Sequence, residues 1–451
     1  ATFNNLSMTL AGTYALTATA GTVNTASANF NITAAAPNTV TFSTQPANTV
    51  AGATMANVVV NVKDAYNNNI SGQAVSVTTT NGTLLSGTLS QNTNASGDAT
   101  FNNLSMTLAG TYALTATAST VNTTSANFNI TAAAPNTVTF STQPANTVAG
   151  ATMANVVVNV KDAYNNNISG QAVSVTTTNG TLLSGTLTQN TNASGDATFN
   201  DLSMTLAGTY ALTATASTVN TTSANFNITA AAPNTVTFST QPANTVAGAT
   251  MAAFAVTVKD AYNNNVSGAT VSVTTTNSAL AVYQGGTQVT TYATANSDGS
   301  GIATFSTISM TAAGTGYAFT ATSGAATPVA SGAFNITVAA TDHYVVVAPA
   351  SVVTSTTLTR TATVKAQDVY NNDIVSASTT ITMTKTNITG TPTITFTDVA
   401  GTPVANYAYT GGTMTIYFLA THDGTQPDTF TMTATDTATK YGTSGNVNVT
   451  N

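Results

Sequence analysis

The sequence predicts an all-β protein built as a tandem array of small β-sandwiches. Three observations carry that prediction. First, the chain repeats with a period of 98 residues, as in Ala99-Thr100-Phe101 and Ala197-Thr198-Phe199, and residues 34–131 and 132–229 differ only at Ser90/Thr188 and Asn103/Asp201. Near-identity at so long a period marks an array of independently folded units. Second, short segments alternate apolar and polar residues, which is the period of a half-buried strand. Third, turn residues punctuate these segments, and no useful stretch has helical periodicity.

Residues 132–229 illustrate each element in order. Val138 and Phe140 alternate in a first strand, Val156, Val158 and Val160 in a second, and Val173 and Val175 in a third. Phe199, Leu202 and Met204 predict a fourth, with an irregularity after Phe199. Tyr210, Leu212 and Ala214 mark a fifth, and Ala224, Phe226 and Ile228 the last. The abundant Val and Thr are β-branched and suit a pleated surface. Asn165-Asn166-Asn167, Asn179-Gly180, Ser194-Gly195-Asp196 and Ala207-Gly208 separate the strands. About seven short strands in about 100 residues read as a β-sandwich of immunoglobulin type.

The period divides the chain. Residues 34–131, 132–229 and 230–339 are three copies, the third carrying an insertion, and 340–451 is a diverged fourth. Residues 1–33 match only the last third of a copy, 99–131. They are expected to be the C-terminal part of an incomplete domain, whose front belongs to a longer polypeptide or is supplied by a neighbouring subunit. The joints are short, as in Thr131-Ala132-Ala133-Ala134-Pro135. Such joints limit swivelling, so an extended rod is expected.

Composition narrows the function classes. Charged residues make up 5% of the 451, against about 25% in ordinary proteins. The seven cations, Lys63, Lys161, Lys259, Arg360, Lys365, Lys385 and Lys440, are scattered, and the net charge is −7. Nucleic-acid binding needs a cationic footprint that these do not make. A surface of Thr, Asn, Ser and Ala opposes self-packing only weakly, so copies of the chain itself are the expected partners. There is no Cys, so disulfides do not hold the array together. No apolar run of about 18 residues is present to span a membrane. The N-terminus has no signal-peptide pattern, so a secretion signal is expected to lie upstream or to have been removed.

The run from Phe140-Ser-Thr-Gln-Pro through Gly150, the run Val156 to Gly170, Gly195-Asp-Ala-Thr-Phe199 and Ala207-Gly-Thr-Tyr210 resemble the bacterial immunoglobulin-like repeats of large surface proteins, including the invasin and intimin group. The resemblance extends over the whole chain, repeat by repeat. It implies tandem immunoglobulin-like domains serving as stalks, spacers or surface-layer elements, with binding often confined to a terminal domain. The diverged copy reads Asp368-Val-Tyr370-Asn371-Asn372 where the second full copy reads Asp162-Ala-Tyr164-Asn165-Asn166. The Lys moves from one residue before the Asp to three, so Asp-x-Tyr-Asn-Asn behaves as a unit and the Lys does not.

That unit offers hard oxygen ligands, and Asp64, Asp162, Asp260 and Asp368 are candidate calcium ligands. Asp298, in Asn296-Ser-Asp298-Gly-Ser-Gly301, is a fifth. No cofactor is expected, with calcium as the one alternative. The favoured reading is that each carboxylate bonds the backbone of its own turn, because one Asp among neutral amides is a thin ligand set. Leu206-Ala-Gly208-Thr-Tyr210 looks like a tyrosine corner, a stabilising feature. A Lys–Asn isopeptide crosslink at Lys161 is disfavoured, since it needs a buried Lys and a nearby acid to move protons. Asn-x-Ser/Thr sequons such as Asn129-Ile-Thr131 and Asn220-Thr-Thr222 follow from the Asn- and Thr-rich composition.

The only histidines, His343 and His422, lie in the last copy, and the copies before it hold no Cys, Glu or His for a catalytic triad. The expectation is a non-enzymatic extracellular structural protein, a repeat stalk or layer component of a prokaryotic cell surface. One alternative is a filament subunit completed by strands of a neighbour. Another is an adhesin whose residues 340–451 bind a cell-surface or host ligand through the histidines and Tyr407, Tyr409, Tyr417 and Tyr441.

Overall fold

In residues 132–229 the central strand Val156–Lys161 pairs with Thr137–Thr142 on one side and Asp196–Phe199 on the other. A second sheet runs Thr188–Asn190, Ala172–Thr177, Leu212–Ala216, Val219–Thr222. A third ladder joins Gly208–Tyr210 antiparallel to Phe226–Thr229, which also pairs in parallel with Thr147–Val148. The computed structural model describes residues 1–275, 281–289, 292–424 and 428–450. Its two compact units are Ala1–Thr229 and Ala230–Asn451.

The strands form where the sequence alternates. Val156, Val158 and Val160 are fully buried while the residues between them are half exposed. They pack in the interior with Val173, Val175, Phe199, Leu212 and Phe226, all at most 2% exposed. Burying side chains of this size stabilises by about 1.5–3 kcal/mol each.

Two local expectations change. The predicted seven or so strands appear as ten segments, because the last two strands of the copy are each interrupted and the short strands Thr147–Val148 and Thr188–Asn190 add to those the alternation marked. At the interruption the Leu212 N–H donates to Ser223 Oγ at 2.9 Å, and the Ser223 N–H donates to the Leu212 carbonyl at 2.8 Å. The Ser223 hydroxyl thus replaces a backbone acceptor, which keeps both buried groups satisfied. The predicted fourth strand ends at Phe199. Leu202 and Met204 remain in the core at 1% exposure, but their carbonyls accept from the Met153 and Gly150 N–H groups in the loop ahead of the central strand.

Residues 34–131 repeat this arrangement around their own core. Of the two substitutions between the copies, Asn103/Asp201 is isosteric in place. The Asn103 side chain accepts from the Thr88 N–H and donates to the Thr88 hydroxyl, whereas Asp201 accepts from both groups of Thr186. Residues 1–33 form the pairs Gly12–Tyr14 with Phe30–Ile32 and Thr17–Ala20 with Val23–Ala26. Phe3 and Leu6 are 71% and 66% exposed, while their counterparts Phe101 and Leu104 are 0% and 1%.

In the second unit, residues 230–339 keep the same ladders and add the hairpin Val282–Gln284 and Thr287–Val289 beside Ile308–Met310. Phe254 stacks between Phe305 and Phe319, with centroids 5.1 and 5.2 Å away. The last copy has longer strands in two sheets. One runs His343–Val347, Ser355–Gln367, Thr413–Thr421, Thr393–Thr397. The other runs Ser351–Val353, Val447–Thr450, Asp428–Asp436, Thr379–Thr389, Asn406–Tyr409, with Tyr441–Thr443 also on Asp428–Asp436. The parallel pairing of Ser351–Val353 with Val447–Thr450 repeats that of Thr147–Val148 with Phe226–Thr229. The chain is an all-β series of immunoglobulin-like sandwiches.

Candidate functional site

The Asp-x-Tyr-Asn-Asn unit closes the turn after the central strand. The Asp162 N–H donates to the Asn166 carbonyl at 3.0 Å and the Asn165 N–H to the Asp162 carbonyl at 3.1 Å. Asn165 adopts φ 67°, a left-handed conformation that Asn tolerates better than most residues.

The Asp162 carboxylate is 2% exposed and accepts four hydrogen bonds. Its Oδ1 receives the Tyr164 and Asn166 N–H groups at 2.9 and 2.8 Å. Its Oδ2 receives the Ala133 N–H at 2.9 Å and Asn166 Nδ2 at 2.8 Å. The carboxylate therefore fastens the Ala-Ala-Ala-Pro joint to the turn. The same bonds link Asp64 to Ala35, Tyr66 and Asn68, Asp260 to Ala231, Tyr262 and Asn264, and Asp368 to Ala339, Tyr370 and Asn372.

The second Asn reaches into the preceding copy. Asn166 Nδ2 also donates to the Thr107 carbonyl at 2.7 Å, and its Oδ1 accepts the Ala109 N–H at 2.8 Å. Asn68 makes the same pair of bonds to Thr9 and Ala11, and Asn372 to Thr311 and Ala313. The Asn side chain saturates its hydrogen-bonding capacity apart from one acceptor lone pair. Beside it, Tyr164 lies against Gly52 and Tyr370 against Gly248. Asp, Asn and Tyr thus form one clasp joining a turn, a joint and the neighbouring copy.

Burial pushes these carboxyls up, but the hydrogen bonds outweigh it. The Asn68 side chain and the Ala35, Asn68 and Tyr66 N–H groups hold Asp64 down at about 2. Asp162, Asp260 and Asp368 are lowered in the same way by their own Asn, joint Ala and turn N–H groups. Every oxygen of Asp162 faces N–H donors, an environment that suits a carboxylate and opposes a cation. Asp298 lies in an exposed turn, its Oδ1 accepting from the Ser300 and Ile302 N–H groups at 2.8 and 3.0 Å. Among the described residues, no three His, Cys, Asp or Glu side chains gather as a metal site.

The remaining candidates separate. Tyr112 and Tyr210 donate to the Leu108 and Leu206 carbonyls at 3.0 Å, and Tyr317 to the Ala313 carbonyl at 3.2 Å, forming the tyrosine corner. Lys161 Nζ donates to Asn165 Oδ1 at 3.1 Å on an exposed turn. His343 pairs in register with Gln367 at one end of the Ser355–Gln367 strand, whereas His422 follows the Thr413–Thr421 strand, whose Ala420 pairs with Ser355 at the other end. The two histidines therefore share no site. Tyr409 is 1% exposed and Tyr441 is 64% exposed. The cross-copy reach of Asn166 had one trace in the sequence, the retention of the second Asn in the diverged copy.

No family model matches the sequence, and no curated protein is significantly similar to it. Solved structures do align with it. Invasin, described as a bacterial integrin-binding protein, aligns at 15% identity over 90% of this chain and 78% of its own, with a TM-score of 0.32. Domains 1–6 of the surface-layer protein SbsC align at 17% identity over 93% and 54%, with a TM-score of 0.25. The adhesin InvE of Yersinia pseudotuberculosis aligns at 21% over 44% and 58%, with a TM-score of 0.23. This chain thus spans about half the length of that SbsC structure. The likeness is one of fold, to bacterial surface proteins built of immunoglobulin-like repeats.

Proposed function

We propose that this chain is a non-enzymatic structural protein of a prokaryotic cell surface, a repeat stalk or layer component divided at residues 33, 131, 229 and 339. The observation that carries this reading is the clasp. The same Asp, Asn and Tyr fasten each joint and reach the preceding copy at 68, 166 and 372. A chain that spends its best-satisfied polar side chains on its joints is suited to transmitting load between copies. Its Asp residues serve as hydrogen-bond acceptors, without calcium. Antibodies against the chain should label intact, unpermeabilised producing cells. Labelling only after permeabilisation would refute the surface assignment.

A second reading rests on residues 1–33. Phe3, Leu6 and Leu16 leave open the face that Val58, Val60, Val75 and Val77 cover in the next copy. Strands encoded ahead of Ala1 would cover it within one chain, whereas strands from another subunit would give a filament. Negative-stain microscopy of the full chain separates the two: filaments favour completion in trans, and single particles of one chain oppose it.

A further inference from the structure

Asp342, His343, Lys440 and Tyr441 meet at the edge of the last copy. With the turn residues Ala438 and Thr439 they surround an open polar cleft of about 570 Å³, within the size range of small-ligand sites. One pair comes from the start of the His343–Val347 strand and the other from the turn that leads into Tyr441–Thr443. Two contacts hold these segments together. The Tyr344 hydroxyl donates to Asp436 Oδ2 at 3.0 Å. Gly442 lies directly on the Tyr344 carbonyl, leaving no space for a side chain.

The turn itself is strained. Asp436 Oδ1 accepts from the Ala438 and Lys440 N–H groups, as Asp162 accepts from Tyr164 and Asn166 and Asp398 from Ala400 and Thr402. In all three turns the fourth residue is left-handed, and in the other two it is Asn165 and Gly401. Here it is Thr439, at φ 64°. A β-branched residue in that region is an outlier, and such strain concentrates at functional sites. The corresponding turn of the second full copy, at Ser217, carries no Lys or Tyr.

The chemistry of the cleft selects its ligand. Tyr441 is 64% exposed and offers a flat face with a polar tip. Asp342 Oδ2 bonds His343 Nδ1 at 3.1 Å, and its Oδ1 stands 3.8 Å from Lys440 Nζ. His343 Nε2, the Lys440 ammonium and the Asp342 oxygens retain hydrogen-bonding capacity. The formal charges of Asp342 and Lys440 cancel. An anionic ligand would meet the carboxylate and a divalent cation the ammonium. A hydroxyl-rich neutral ring would meet both donors and acceptors, beside an aromatic face. We infer that this cleft binds a neutral pyranose unit of a glycan. The inference stands independently of the stalk reading.

The test is saturation-transfer NMR on the full chain with methyl glucoside, methyl galactoside and methyl mannoside, with N-acetylneuraminic acid as the anionic arm. At least one neutral sugar should receive saturation at its ring protons. That signal should fall at least fivefold in Tyr441→Ala and in Lys440→Gln. Both side chains are exposed, so both variants should keep the wild-type circular dichroism spectrum and melting midpoint. The inference is overturned by the absence of transfer to any neutral sugar, by stronger transfer to the acid, or by equal transfer in wild type and both variants.

Discussion

Tyr164 lies across Gly52 of the preceding copy, its hydroxyl occupying the space that a β-carbon on Gly52 would need. Gly52 also sits at φ 80°, where L side chains are strained. The close approach and the backbone conformation require the same residue, and Gly248 and Tyr370 repeat the pairing in the second unit.

Gly52→Ala should destabilise the first unit by about 1–3 kcal/mol, from the left-handed backbone and the displaced Tyr164 ring together. Adding Tyr164→Ala should recover the steric part and leave the backbone part, because residues in contact are not additive. Calorimetry of the full chain with both single variants and the double variant measures the coupling. Additive effects would show that the contact carries no energy.

Asp162→Ala removes the acceptor for four donors, three of them backbone. The expected loss is about 2–4 kcal/mol, since buried donors without partners are expensive. Hydrogen exchange should accelerate at the amides of Ala133, Tyr164 and Asn166, while the core amides of Val158 and Val175 change little. Calcium added to the wild-type chain should leave its melting midpoint unchanged. A calcium-dependent rise abolished by Asp162→Ala would assign the carboxylate to a metal.

The clasp should open in acid. The folded pKa of Asp64 lies at about 2, below the unfolded value of about 3.9. A lowered folded pKa means that the unfolded state binds the proton more tightly. The stabilisation is therefore fully present above about pH 4 and is lost as pH falls towards about 2. Asp162, Asp260 and Asp368 shift in the same direction. Exchange of the Ala35 and Ala133 amides, corrected for intrinsic rates, should lose protection across that window. Protection constant down to pH 2 would contradict the assignment.

Two phenylalanines at equivalent places in the repeat should respond to very different extents. Phe199→Ala empties a fully buried site and should cost about 3–5 kcal/mol. Phe3→Ala, at a residue 71% exposed, should stay within about 0.5 kcal/mol. Urea unfolding of the two variants gives the comparison. A large loss from Phe3→Ala would show that its face is covered in solution.

The repeat period, the strand class and the turns were readable in the residues because each depends on near neighbours in the chain. Val156, Val158 and Val160 alternate on their own account, and the left-handed turn positions fall mostly to Gly and Asn, with Ser119, Ser217 and the β-branched Thr439 as exceptions. The second Asn of Asp-x-Tyr-Asn-Asn was visibly tied to its Asp, since both persist in the diverged copy. Its partners Thr107 and Ala109, 59 and 57 residues earlier than Asn166, were not visible, because only the packing of one copy on another creates that contact.

Tertiary structure also decided what the last copy presents. Sequence grouped His343, His422 and four tyrosines as one candidate region. Antiparallel register places the histidines at opposite ends of a long strand, and sheet packing buries Tyr409 while exposing Tyr441. Alternation specifies which residues can share a face. Which faces meet, and which polar groups converge at an edge, depends on pairings between distant segments, and no local pattern encodes these.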